Sequence, residues 1–359
     1  MALGNKPAVA ADDEILIAVA GPMTGQYAAF GREMQAGAEA AVAQLKINGR
    51  AAGTKLRLLI EDDECDRSRA IAIAERLVAK RVALVVGHYC ASASMAAAPI
   101  YAAAGIIMIS PGTTDPQFTN KRAGSSIFRL AWRDDRQEPA AGGAYIARHF
   151  SGKRVAILHD RTQAGIQLAS ATKQAINAAG LSEVMYLGFI AGERDYSRLA
   201  RDLRAQRIDA VYLGAYPSEA VLIYAALRAD GQTTTVIGSN LLANINADKP
   251  VSSQIDGMLV TTVPSTAGLA NSAGQSSSGS PDRIHALVRS NSQAALEVWS
   301  QASTNDDGPR SSNSDVAITL QQRAFTTILG EVRFDSKGDA MVPYFKVHVW
   351  QGGELVPAP

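Results

Sequence analysis

Short apolar runs alternate with longer stretches whose apolar positions recur at three- and four-residue spacing through the first hundred residues of the chain. That alternation predicts βαβ units and a parallel sheet covered on both faces. Strands are expected over 15–20, 56–61, 82–87 and 105–110, and helices over 31–45 and 67–81, with another opening after Cys90. In the second helix Ile71, Ala74, Leu77 and Val78 share one face. The rhythm restarts with strands over 155–159, 183–190, 210–214 and 235–238, separated by helices over 163–179, 196–206 and 218–229. Two doubly wound, Rossmann-like α/β lobes result. No fixed period of 20–50 residues runs through the chain, which excludes a solenoid.

Beyond residue 263 the texture changes to Ser-, Gly- and Asn-rich stretches over 265–280 and 303–314, read as surface loops around a helix over 282–300. A strand and tight turn over 332–339 then precede a last strand over 344–350.

A length of 359 residues exceeds what one core usually organises, which fits two domains. Lys plus Arg (35) nearly cancel Asp plus Glu (34), leaving no basic footprint for nucleic acid or an anionic membrane. No apolar run approaches the roughly 20 residues of a membrane helix, so the chain is not expected to be an integral membrane protein. Cys65 and Cys90 are the only cysteines. They are either two unrelated buried thiols or a disulfide, and a disulfide implies an oxidising compartment. Pro7-Ala8-Val9-Ala10-Ala11 holds an A-x-A pattern of the kind that precedes signal-peptidase cleavage, with no basic and apolar leader before it. The expectation is an exported protein whose signal peptide is absent or replaced in this chain.

Five stretches in order resemble the branched-chain amino-acid (Leu/Ile/Val) binding family, the periplasmic type I solute-binding proteins of ABC importers. They are Gly21-Pro22-Met23-Thr24-Gly25, Asp62-Asp63-Glu64-Cys65-Asp66, Gly87-His88-Tyr89-Cys90, Ile109-Ser110-Pro111-Gly112-Thr113-Thr114 and Phe334-Asp335-Ser336-Lys337-Gly338-Asp339. The resemblance covers nearly the whole chain. It implies a Cys65–Cys90 disulfide, a periplasmic location, a permease partner and a monomer without cofactor. It also implies a three-stranded hinge crossing near 130–134, 260–263 and 330–334, so that 12–130 plus 264–330 form one lobe and 131–263 plus 331–359 the other. The ligand is expected in the cleft between them, held by hinge closure.

In open α/β sheets ligands gather at the carboxyl ends of strands. Two segments of the first lobe meet that rule. Ala91 and Ser92 open a helix after one strand, where free N–H groups and hydroxyls suit an anionic oxygen. Gly112, Thr113 and Thr114 follow the next strand, and together these segments predict a carboxylate clamp, or the Ser and Thr serve only as caps and turns. The resemblance places a ligand-contacting serine at Ala91, so Ser92 or a backbone N–H must substitute. Tyr27, Phe30, Tyr101 and Trp132 are expected to wall the pocket, or simply to belong to the core.

In the second lobe Tyr216 matches a tyrosine that lines the family's cleft, or is equally a core aromatic. Asn240 stands where amino-acid binders carry a glutamate for the ligand's ammonium, and Ala164 stands where the family usually has a tyrosine. An ammonium buried without a counter-charge costs several kcal/mol. The expected ligand is therefore a small carboxylate, either an amino acid or, favoured by Asn240 and Ala164, an aromatic, hydroxy or keto acid.

An enzyme is the first rival. His159-Asp160 is the one adjacent acid–base pair of interest, and the five histidines show no metal-ligand spacing. Neither G-x-S-x-G nor G-x-x-x-x-G-K occurs, so no catalysis, cofactor or metal is expected. The second rival is a ligand sensor of the same fold that reports to a regulator or kinase.

Overall fold

The computed structural model describes residues 14–47, 55–240, 242, 253–263, 280–304 and 311–359. The A-x-A pattern, most of the 265–280 stretch and residues 305–310 lie outside them. The chain divides into two compact units, Met1–Trp132 with His285–Val342, and Arg133–Ile284 with Pro343–Pro359.

Unit 1 holds β1 (Glu14–Gly21), α1 (Ala28–Ile47), β2 (Lys55–Asp62), α2 (Arg67–Ala79), β3 (Leu84–Gly87), α3 (Ala91–Ala103), β4 (Ile107–Ser110), α4 (Gln117–Asn120) and β5 (Ile127–Arg129). Its five strands pair in the order β2-β1-β3-β4-β5, all in parallel. The central strands are buried along their length, as a sheet covered on both faces requires. Ala18, Ala20, Val85 and Met108 pack with Ile73, Leu77, Ala97 and Tyr101 of α2 and α3. The larger of these, Val85, Met108, Ile73 and Leu77, each contribute about 1.5–3 kcal/mol when fully buried. The edge strand β2 alternates more and carries Lys55 and Arg57, both paired with Glu14 of β1, which blunts an open edge. Cys65 and Cys90 are bonded, with Cα atoms 5.4 Å apart, joining the β2–α2 loop to the start of α3. Of the two readings left open by their spacing, the disulfide is the one realised.

Unit 2 holds α5 (Gln137–His149), β6 (Val155–His159), α6 (Gln163–Ala178), β7 (Met185–Gly188), α7 (Ser197–Ala205), β8 (Ala210–Gly214), α8 (Pro217–Ala229), β9 (Thr235–Gly238) and β10 (Leu259–Thr262). β13 (Lys346–Gln351) and β14 (Glu354–Pro357) complete a seven-stranded sheet ordered β14-β13-β10-β9-β8-β6-β7. β13 runs antiparallel to β10 and β14 antiparallel to β13, an antiparallel border on a parallel sheet. One face packs Leu213, Val236 and Val260 with Leu203, Ile223 and Leu227 of α7 and α8. The other packs Ile157, Tyr212 and Ile237 with Ile146, Leu168 and Ile176 of α5 and α6. A Cβ at Gly143 would stand 2.5 Å from that of Ala175, so glycine there lets α5 and α6 meet closely.

Between β10 and β13 the chain returns to unit 1 through α9 (Ser280–Ser303), α10 (Asn313–Gln322), β11 (Phe325–Thr327) and β12 (Gly330–Val332). The small β11–β12 hairpin was not expected from the sequence. The last passage between units falls at Val342 and Pro343, beyond the 330–334 expected. The reason lies in the segment after β12. Arg129 N–H donates to the Gly338 carbonyl and Ala340 N–H to the Arg129 carbonyl, both at 2.9 Å, and Phe334 packs edge-on against Phe128 at 5.0 Å. These contacts bind residues 334–340 to β5, inside unit 1.

Candidate functional site

The carboxyl edge of the unit 1 sheet is built around one carbonyl. His88, just after β3, is fully buried, with Nδ1 2.6 Å from Asp63 Oδ2 and Nε2 3.3 Å from the Tyr101 hydroxyl. The His88 carbonyl accepts hydrogen bonds from Ser110 Oγ at 2.7 Å, Ser94 Oγ at 3.1 Å and Thr113 Oγ1 at 3.4 Å. Thr113 also donates to the Tyr89 carbonyl at 3.2 Å, its N–H donates to Ser110 Oγ at 3.1 Å, and its hydroxyl lies 2.5 Å from that of Ser94. Thr113 is 1% exposed, so the expected clamp residue has its hydroxyl turned inward as a strut between β3 and β4. Thr114 and Gly112 remain half-buried at the surface of this edge.

Ala91 is the first residue of α3 and half-buried. Its N-cap is Cys90, whose sulfur is bonded to Cys65 and gives no side-chain cap to the helix. The first-turn N–H groups have no intrahelical acceptor by helix geometry, and the helix dipole adds partial positive charge there. Ser92 is exposed, and its hydroxyl donates to the Cys65 carbonyl at 3.3 Å. The backbone of Ala91 and Ser92 is thus better placed than the Ser92 hydroxyl to meet an anion.

Aromatic rings stand over this edge. Phe30 stacks on Tyr89 with centroids 4.5 Å apart and 15° between planes, Tyr27 lies 6.4 Å from Tyr89, and His285 meets Phe30 edge-on at 4.5 Å. A Cβ at Gly112 would fall 2.1 Å from Tyr89 Cδ2, so the tyrosine ring occupies the space that glycine leaves open. Burial pushes the Tyr89 phenol up to about 12, with Tyr27 adding to the effect. Tyr101 belongs to the core, fully buried, and forms no wall. Trp132 is half-buried just beyond β5, where unit 1 ends. Tyr89 was missed in the sequence, although it lies inside one of the five stretches.

Asp62 ties the glycine-proline stretch after β1 to the Asp62–Asp66 stretch. Its carboxylate accepts from Met23 N–H at 2.8 Å, Thr24 N–H at 3.3 Å and the Thr24 hydroxyl at 2.6 Å. Burial opposes its charge, yet these bonds and one from Glu64 N–H hold the carboxyl below its usual range. Both stretches are framework.

The carboxyl edge of the unit 2 sheet carries His159, Asp160, Ala164, Tyr216 and Asn240. His159 Nδ1 accepts from Arg161 N–H at 3.1 Å, and Asp160 Oδ1 accepts from Thr162 at 2.9 and 2.6 Å. Burial lowers the His159 pKa. The pair is engaged in shaping the start of α6. Ala164 is half-buried in the first turn of that helix, and Tyr216, the N-cap residue of α8, is 45% exposed.

Asn240 is half-buried, and its backbone N–H donates to Glu138 Oε1. The Thr261 hydroxyl donates to the same oxygen at 2.9 Å. Glu138, in the first turn of α5, is 9% exposed. Burial pushes its carboxyl up to about 7 against those two hydrogen bonds, and Asp134 pushes it further. The sequence carried no signal for this group, because an acidic residue in a first helical turn ordinarily faces solvent and favours the dipole.

Among the described residues no group of three His, Cys, Asp or Glu is arranged to hold a metal ion, and no helix is long and apolar enough to cross a membrane. Against known proteins, the periplasmic binding protein family matches over residues 14–353. The chain belongs to that family. Membership brings reversible solute binding and no catalysis. The Leu/Ile/Val-binding protein homolog 2 of Brucella abortus (strain 2308) is 33% identical over 354 residues, spanning 95% of this chain and 91% of that protein. The Leu/Ile/Val/Thr-binding protein of Salmonella typhimurium LT2 is 32% identical, spanning 94% and 92%. An ABC transporter substrate-binding protein from Desulfitobacterium hafniense shares the fold at a TM-score of 0.68, with 22% identity over 96% of this chain and 99% of that one.

Proposed function

We propose that this binding protein serves an ABC importer outside the cytoplasm, delivers its cargo to a membrane permease, and captures a small molecule through that molecule's carboxylate. The observation that carries this reading is the first turn of α3. Its N-cap is committed to a disulfide and leaves the helix without a side-chain cap beside Gly112 and Thr114. Such a turn offers N–H donors and a favourable dipole to an anionic oxygen. The relatives' names support an α-amino acid as cargo.

A second reading follows from the uncharged Asn240 side chain and the small Ala164, which favour an aromatic, hydroxy or keto acid without an ammonium group. Both readings share the carboxylate. Calorimetric titration of the full chain with leucine, isoleucine, valine, threonine and phenylalanine, their 2-oxo and 2-hydroxy counterparts, and benzoate measures which end is recognised. At least one acid is expected to bind, and its primary amide to bind at least a hundredfold more weakly. An amide that binds as tightly as its acid refutes carboxylate capture.

A further inference from the structure

Unit 2 contains a buried carboxyl group that no basic side chain among the described residues balances. Glu138 is nine-tenths buried, and both of its hydrogen bonds, from Asn240 N–H and Thr261 Oγ1, reach Oε1. No basic side chain among the described residues pairs with it. Next to Asn240, Ser239 is fully buried, and its hydroxyl has no hydrogen-bond partner among the described residues. Both features lie where β9 ends, the edge at which sheets of this kind collect ligands. A buried carboxyl without a cation and a buried hydroxyl without an acceptor are each unfavourable in the empty protein. A ligand cation with N–H donors would give the carboxylate its counter-charge and the hydroxyl oxygen a donor.

We infer that Glu138 is the anionic partner of the ligand's α-ammonium group, with Ser239 as an accessory acceptor, so that the cargo is an α-amino acid. This rests on the carboxylate-capture reading above and names the ligand's other end. It also replaces the expectation drawn from Asn240, which took the end of β9 to lack an anion. The charge comes from α5, and Asn240 holds it in place by its backbone.

The surroundings of Glu138 make binding sensitive to pH. Asp134, before α5, disfavours its ionisation, and Tyr212 of β8 is a neutral phenol near enough for Glu138 to raise its proton affinity. Thr172 of α6, Asn240 after β9 and Thr261 of β10 are uncharged, and Val347 and Val349 of β13 face the same side. With its carboxyl near 7, Glu138 is about half protonated at pH 7 in the empty protein. An ammonium nearby favours the carboxylate, so binding releases protons at neutral pH. Affinity is then expected to rise with pH up to about 7 and to fall by up to about tenfold per pH unit below it.

The test is calorimetry on the full chain with the tightest-binding α-amino acid of the panel and its 2-oxo counterpart, at pH 5.5, 7 and 8.5. Two buffers of different ionisation enthalpy are used for the wild type and for Glu138→Gln. Three results are expected: release of about half a proton per ligand at pH 7, a loss of a hundredfold or more for the amino acid in E138Q, and little change for the 2-oxo acid. The proton count is read on the wild type and stands whether or not the variant folds; a thermal melt checks the variant. If an amino acid binds without proton release and equally well to E138Q, the inference fails while carboxylate capture stands. If only acids without an ammonium bind, the inference fails in the same way. If amides bind as well as acids, the underlying reading fails too.

Discussion

Asp339→Ala tests whether the Phe334–Asp339 stretch acts as a lock on unit 1. Arg129 is fully buried at the end of β5, and its Nε and Nη2 donate to Asp339 Oδ1 at 2.9 and 2.6 Å. Thr119 donates its hydroxyl to Asp339 Oδ2 at 3.0 Å, and Arg129 Nη1 donates to the carbonyls of Asp115 at 2.7 Å and Thr113 at 3.3 Å. Removing the carboxylate takes from the buried Arg129 guanidinium the hydrogen bonds and the negative charge that Asp339 supplies. Breaking a buried pair from one side costs about 3–5 kcal/mol. A unit of this size loses roughly 2–4 °C per kcal/mol, so its unfolding midpoint is expected to fall by about 6–20 °C. Because Arg129 also braces the Thr113–Asp115 loop, ligand affinity should weaken as well. Urea and thermal unfolding of D339A beside the wild type, read by circular dichroism, give the number. Arg129→Met with Asp339→Leu removes both charges and is expected to recover much of the loss. A D339A protein within about 1 kcal/mol of wild type refutes the lock.

Reduction of Cys65–Cys90, which closes a sequence separation of 25, is expected to lower stability by about 3 kcal/mol in urea unfolding with and without reductant. Gly112→Ala should destabilise by about 1–3 kcal/mol through contact with the Tyr89 ring, and Tyr89→Ala in the same chain should relieve that contact, a coupling measured by a double-mutant cycle. Glu138 gives the ligand-free protein an unusual pH response. A carboxyl raised to about 7 holds its proton more tightly when folded, so its contribution to stability is fully present below pH 4.5 and is lost as pH rises through 7. The decline amounts to about 3 kcal/mol from this group, and Glu138→Gln should flatten it in melts across that range.

The sequence determined many of the strands and helices because a covered parallel strand must be an apolar run and the helix above it must be amphipathic, but it predicted no element where β5, α5, β10 and α10 stand. The runs at 155–159, 210–214 and 235–238 coincide with β6, β8 and β9. It also located the two segments of unit 1 that lie at strand ends, since strand, turn and helix start are local features. What it left undecided was which groups on those segments face outward. Thr113 and Thr114 are neighbours of one type, yet only the packing of β3 against β4 turned the Thr113 hydroxyl to the His88 carbonyl. The β11–β12 hairpin and the late passage at Val342 were hidden because short strands bury too little apolar area to leave a pattern, and because Asp339 meets Arg129 across 210 residues. Tyr89 and Glu138 were hidden for a related reason. A half-exposed aromatic and a first-turn acid have ordinary roles in isolation, and only the tertiary structure brought one over Gly112 and the other beneath Asn240. Burial and partners decide the chemistry of such groups, and neither is a property of the residue or its immediate neighbours.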